Sequence, residues 1–201
     1  TLKALSLTEK DRILRLTMLL HDIGKAKMRT TDANGVDHFK GHGPEGKEIA
    51  KKILRRLKFD NDTIAQVTRL IYWHDYRPAP EAVRRAIYKV GEDLFPLFLK
   101  VQRADNLAQS MYLREEKLER IEAVEKLYHE IMEKHQCVSL KTLAVTGKDL
   151  IATGMKPGPQ MGAVLQELLE MVLDQPEMNE KEKLLAWWKE HGTCQKAEGT
   201  L

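Results

Sequence analysis

Ile13-Leu14-Arg15-Leu16-Thr17-Met18-Leu19-Leu20 runs directly into His21-Asp22-Ile23-Gly24-Lys25. Ile13, Leu16, Leu19 and Leu20 recur at the three-four spacing of a buried helix face. An apolar helix that ends on an imidazole and a carboxylate, then stops at a glycine, is a rigid platform with a polar tip. Adjacent His and Asp side chains can both ligate one divalent cation when the backbone beneath them is held. A lone His at a helix end is usually a cap or a surface residue. The weight comes from the polar set downstream: His42, His74-Asp75 and Asp105, each at the edge of its own helical segment.

Working outward, almost every periodic segment is helical. Pro44 opens a basic helix over Glu45–Lys58, with Ile49, Ile53, Leu54 and Leu57 as its apolar stripe. Asp60 or Asn61 caps the next, which turns Ile64, Val67, Leu70 and Ile71 inward and ends at Trp73-His74-Asp75. Pro78-Ala79-Pro80 breaks the chain before a short helix ending near Gly91. Leu94–Tyr112 reads as a long apolar helix carrying Arg103 and Asp105, and Glu115–His135 as a charged, mostly solvated one. Cys137–Leu140 is too short to build a sheet, so the fold class is all-α.

The character changes after His135. Thr146–Pro159 holds the densest cluster of Gly and Pro in the chain, ahead of an amphipathic helix Gln160–Leu173 and a last one from Asn179 to about His191. A boundary near 136–142 divides a larger helical core (1–138) from a smaller helical module (139–201). Thr193–Leu201 reads as a frayed tail.

At 201 residues, 42% of them hydrophobic and 31% charged, the chain can bury a core and is not a disordered sequence. A net charge of +3 permits an RNA or nucleotide partner without demanding one. Cys137 and Cys194, far apart, make neither a disulfide framework nor a zinc knuckle. No apolar stretch approaches membrane-spanning length and no signal peptide is present. A cytoplasmic setting with no membrane partner is the expectation. The opening Thr1-Leu2 falls in mid-pattern and reads as the start of a piece of something longer.

His21, Asp22 and Asp105 together suit Mg²⁺, Mn²⁺, Ni²⁺, Fe²⁺ or Zn²⁺, with water in the open positions. Such a water is acidified enough to act as a nucleophile near neutral pH. His42 and His74 would meet the other needs of a phosphoester hydrolase: binding phosphoryl oxygens, protonating a leaving alkoxide, or holding a second metal. Lys25 is placed to meet a phosphate. Plainer readings stand beside these. Asp105 could pair with Arg103, and Asp75 could be only a helix stop. His38, His129, His135 and His191 read as solvated. The run Lys47, Lys51, Lys52, Arg55, Arg56, Lys58 is an exposed face first and a backbone-binding strip second. Trp73 and Trp187-Trp188 read as core anchors rather than stacking platforms.

The stretches Leu19–Lys25, Phe39-Lys40-Gly41-His42-Gly43-Pro44-Glu45-Gly46, Ile71–Asp75 and Arg103-Ala104-Asp105 resemble the signatures of the HD superfamily of metal-dependent phosphohydrolases. More narrowly, the chain resembles the carboxy-terminal part of bacterial CCA-adding tRNA nucleotidyltransferases of the poly(A)-polymerase-like class. The opening Thr-Leu-Lys-Ala-Leu, the setting of His42, and Gly147-Lys148-Asp149-Leu150 with Pro157-Gly158 and Gly162 carry that likeness. The resemblance implies a helical HD core, truncated at its N-terminal edge, followed by a tRNA-contacting module. It also implies Lys47, Lys51, Arg55, Lys148 and Lys156 as RNA contacts.

Two departures matter. In this family a histidine that serves as a further metal ligand usually falls directly before the Thr-Leu opening, a position outside this sequence. This chain is therefore expected to hold metal weakly or not at all and to hydrolyse little. The paired carboxylates of a nucleotidyl-transfer site are also absent from it, so that head would be a partner domain of the same polypeptide. Three functions follow: a phosphohydrolase acting on nucleotide or RNA-end phosphates such as 2′,3′-cyclic phosphates, a tRNA-binding body with a vestigial metal site, or a stand-alone HD nucleotidase. The Gly147–Gly162 segment argues against the third.

Overall fold

In a computed structural model, which describes residues 1–191, the chain opens with two helices, α1 (Leu2–Ser6) and α2 (Arg12–Leu20). The Asp11 side chain accepts a hydrogen bond from Leu14 N at 2.7 Å and starts α2. A single turn, α3 (Lys25–Met28), follows. A two-residue antiparallel ladder comes next, β1 (Thr30–Thr31) against β2 (Asp37–His38), with Thr30 opposite His38. Then come α4 (His42–Arg56), α5 (Asn61–Trp73), α6 (Val83–Val90), α7 (Phe95–Ala108) and α8 (Arg114–Glu133). The helices α9 (Gly147–Ala152), α10 (Gln160–Asp174) and α11 (Lys181–His191) complete the described chain. The fold is all-α.

The described chain forms two units: Thr1–Pro80 with Val90–Lys126, and Glu81–Lys89 with the chain from Leu127 on. In the first, α2 is buried on two sides. Leu14 and Met18 pack with Ala4 of α1 and with Val101 and Ala104 of α7. Leu20, joined by the partly buried Ile13 and Leu16, packs with Ala50 and Leu54 of α4 and with Ile64, Val67 and Ile71 of α5. Leu19, assigned to the buried face by its spacing, is exposed, because the two packed stripes leave it facing water. Each fully buried Leu or Ile in these clusters contributes about 1.5–3 kcal/mol.

In the second unit Leu150, Leu168, Leu169, Val172, Leu184 and Trp188 form the centre of a separate core. Arg85 forks onto the Asp174 carboxylate at 2.6 and 2.7 Å. The Asn179 side chain donates to Thr142 O and accepts from Ala144 N, pinning that loop.

Several boundaries differ from the sequence pattern. The basic helix begins at His42, not Pro44, because a proline in the first turn lacks only an N–H that has no intrahelical partner anyway. The long apolar helix ends at Ala108 instead of Tyr112, since Gln109 turns to an extended backbone. The Gly- and Pro-rich stretch contains α9, which starts where the Asp149 carboxylate accepts from both Thr146 N and Thr146 Oγ1. Cys137 is a buried free thiol, and His38, His129, His135 and His191 are all exposed. Trp188 is a core residue, whereas Trp73 and Trp187 are half-buried. Cys194 and the expected frayed tail lie outside the described residues.

Candidate metal centre

Three imidazoles are presented by the same device. His21 caps the C-terminus of α2, His74 caps the C-terminus of α5, and His42 is the first residue of α4. Each Nδ1 lies within 2.7–2.8 Å of the backbone carbonyl three residues earlier: Met18 O, Phe39 O and Ile71 O. A carbonyl can only accept, so each Nδ1 carries the hydrogen, and Nε2 is the nitrogen each ring turns toward the other polar groups. Gly41, with φ of 83°, makes the left-handed turn that leads His42 into α4. At Gly24 a Cβ would stand 2.2 Å from His42 O and 2.7 Å from Gly46 N, so only glycine lets α3 start this close to α4.

The Nε2 atoms converge. His42 Nε2 and His74 Nε2 are 3.0 Å apart, and both lie 3.7 Å from Asp22 Oδ1. His21 Nε2 lies 3.4 Å from Asp22 Oδ2 and 3.4 Å from Asp105 Oδ1. Asp22, His42 and His74 place one ligand atom each within 4.8 Å of the others, a grouping able to hold a metal ion. Asp105 does not take the plainer role of partner to Arg103, which pairs with Glu122 and Glu125. It accepts instead from Gln109 Nε2 at 2.7 Å. Lys25 Nζ lies 2.8 Å from Asp22 Oδ2 and faces the Phe39 ring.

The electrostatics agree with cation binding. Burial alone would raise the Asp22 carboxyl, but the adjacent His74 and Lys25 outweigh it and hold it far below the usual carboxylate range. Burial also opposes ionisation of Asp105, and the His21 ring reverses this so that it too is lowered. For His21, burial lowers the ring pKa, while Asp105 and Asp22 raise it further, leaving it above its ordinary value. Two helix C-termini, those of α2 and α5, add their negative ends to the same place. The donor set fits a divalent ion. Two nitrogens held about 2.1 Å from one ion at right angles stand about 3.0 Å apart, the separation that His42 and His74 already have.

Asp22, Lys25, His42, His74 and Asp105 line a cleft of about 640 Å³ whose wall also includes Lys40, Arg77, Phe39 and Gln109, while His21 is buried behind it. Lys40 and Arg77 sit inside or beside the quoted motifs but were not singled out from sequence, and Gln109 carries no sequence signal. Of the expected RNA contacts, Lys47 is half-buried with its ammonium over the Tyr72 ring, Lys51 is half-buried, and Arg55, Lys148 and Lys156 are exposed.

Compared with known proteins, residues 45–188 match the sequence profile of the family described as tRNA nucleotidyltransferase domain 2. The chain belongs to this family. It is 29% identical over 167 residues to the A-adding tRNA nucleotidyltransferase of Deinococcus radiodurans, covering 81% of this chain and 38% of that protein. It is 24% identical over 143 residues to a CCA-adding enzyme of Bacillus cereus, covering 71% of this chain and 33% of that one. A shorter stretch of 46 residues, 23% of this chain and 12% of the relative, is 50% identical to the CCA-adding enzyme of Levilactobacillus brevis. The chain thus spans well under half the length of these curated relatives. No solved structure matches it. The tRNA nucleotidyltransferase domain 2 match includes His74 and Asp105 and begins just after His42, leaving out His21-Asp22. Among the described residues, no helix is long and apolar enough to cross a membrane.

Proposed function

We propose that this member of the tRNA nucleotidyltransferase domain 2 family carries an HD-type, divalent-cation-dependent phosphohydrolase centre acting on nucleotide or RNA-end phosphates, 2′,3′-cyclic phosphates among them. The observation that carries the reading is the pair of Nε2 atoms of His42 and His74, 3.0 Å apart beside ionised Asp22. Two nitrogens that close share either a proton or a metal ion, and the Asp22 carboxylate 3.7 Å from both favours a cation there. His21, Asp22 and Asp105 would hold one ion, and Asp22 with His42 and His74 a second. The imidazole-rich donor set favours Mn²⁺, Fe²⁺, Ni²⁺ or Zn²⁺ over Mg²⁺. A bound ion would supply Lewis acidity and a water of lowered pKa. Lys25 orients Asp22, Arg77 is paired with Asp75, and Lys40 with the bound ions would supply the positive charge that meets phosphate oxygens. In this reading residues 1–138 form the HD domain and 139–201 the tRNA-contacting module, with a nucleotidyl-transfer head as a partner of the same polypeptide.

The test is metal content by mass spectrometry together with hydrolysis of bis(p-nitrophenyl) phosphate, with and without Mn²⁺ or Ni²⁺. Metal-dependent turnover with Mn²⁺ or Ni²⁺ supplied in excess is expected, with little metal retained after dialysis. A chain that binds tRNA but neither metal nor phosphodiester would instead be a non-catalytic tRNA-binding body. That second reading is favoured by one specific observation, the strip of Lys47, Lys51 and Arg55 along α4.

A further inference from the structure

The turn between α7 and α8 breaks a general rule of protein surfaces. Met111, Tyr112 and Leu113 are consecutive, and they are 72%, 74% and 47% exposed. A run of three large apolar side chains held in water is a cost that folds avoid unless the run contacts something. The turn is also strained and pinned. Leu113 sits at φ of 51°, the left-handed region that a branched side chain enters only when the surroundings impose it. Arg114 reaches back to donate to Gln109 O at 2.6 Å, closing the loop across its base.

That base belongs to the cleft. Gln109 lines it and donates to Asp105, beside the Asp22, His42 and His74 cluster. Tyr112 is three residues on, so its backbone lies at most about 11 Å from Gln109, a span on the scale of one nucleotide. The cleft itself is polar and rimmed by Lys25, Lys40 and Arg77. It can engage a phosphate, and its one large apolar wall residue, Phe39, already faces Lys25 Nζ. The exposed aromatic and thioether side chains supply what it lacks.

We propose that Tyr112 and Met111 form a stacking platform for the base of a nucleotide whose phosphate occupies the cleft. Aromatic rings stack on any base through its π-face, and sulfur packs favourably against aromatic rings. The platform therefore selects nucleotides over bare phosphoesters without selecting among bases. The assignment rests on the reading of the cleft as a phosphate site.

The experiment compares two ligands that cannot be hydrolysed, the phosphonate analogues of AMP and of ribose 5-phosphate, titrated calorimetrically into the 201-residue chain with Mn²⁺ present. The adenosine analogue is expected to bind at least about fivefold tighter than the ribose analogue. In Tyr112→Ala that ratio falls to near one with ribose-analogue affinity unchanged, and Tyr112→Phe keeps it. Tyr112 is mostly exposed, so far-UV spectra of both variants should match the parent. Equal binding of the two analogues by the parent chain overturns the platform and leaves the phosphate site standing. So does a ratio that survives Tyr112→Ala, including the case where that variant instead changes self-association in sedimentation. If neither analogue binds, the phosphate reading of the cleft fails and the platform fails with it.

Discussion

His42 Nε2 and His74 Nε2 face one another at 3.0 Å while both Nδ1–H groups are committed to backbone carbonyls. Removing either ring removes a nitrogen donor from the place a cation would occupy. His74→Ala should lower Mn²⁺ affinity by at least about tenfold, with helix content unchanged by far-UV dichroism. Titration calorimetry on parent and variant reads this directly. Equal affinities would sever His74 from the cation.

The close approach of α3 to α4 gives a second expectation. In Gly24→Ala the new methyl group meets two backbone atoms, His42 O at 2.2 Å and Gly46 N at 2.7 Å, and neither can swing aside as a side-chain tip would. Urea unfolding should show a loss of about 1–3 kcal/mol. Because the displaced residue is His42, metal affinity should fall in the same variant. A parent-like urea midpoint would mean that the helices tolerate separation.

Acid sensitivity of the second unit should trace to Asp149. Hydrogen bonds from Lys181 and from Thr146 hold its carboxyl well below the ordinary aspartate value of 3.8. A carboxyl depressed in the folded state contributes stability that is fully present above its unfolded pKa and is lost as pH falls through the folded one. Asp149→Asn should therefore lower the urea midpoint at pH 7, and the gap to the parent should shrink steadily below about pH 4. A gap that stays constant down to pH 2 would remove the ionised carboxylate from the explanation.

The strip on α4 predicts a salt signature. If Lys47, Lys51 and Arg55 contact an RNA backbone, changing all three to Gln should weaken tRNA binding. It should also reduce the slope of log affinity against log salt by about 2–3. Fluorescence anisotropy across a KCl series measures both. An unchanged slope would return the three side chains to the role of a solvated face.

The sequence pattern carried the helical class because α2, α4, α5 and α10 each have a stripe long enough to read. It also singled out His21, Asp22, His74 and Asp105, which interrupt apolar runs, and His42, which stands between two glycines ahead of a helix. That His42 and His74 share a cleft follows from the roles read for them, but their direct 3.0 Å contact does not, because 32 residues separate them and only the packing of α4 on α5 sets their distance. Short elements escaped for a related reason. α1, α3 and the ladder of β1 with β2 are too brief to show a period, and they are held by contacts and turns. Met111 and Tyr112 of the tip fall inside the apolar helix read over Leu94–Tyr112, since exposure is invisible to hydrophobicity alone.

The rings of His21, His42 and His74 are each tied through Nδ1 to the backbone carbonyl three residues earlier. None of them can therefore flip or change tautomer without giving up that bond. Ordering of the three rings is thus completed when the chain folds, and little rotational freedom remains to be lost when a ligand arrives. Capture at this centre should proceed as an encounter with a nearly rigid receptor. Its selectivity then lies in the fit of ion size and charge to a fixed frame, and its affinity should be sensitive to any substitution that shifts one helix end against another.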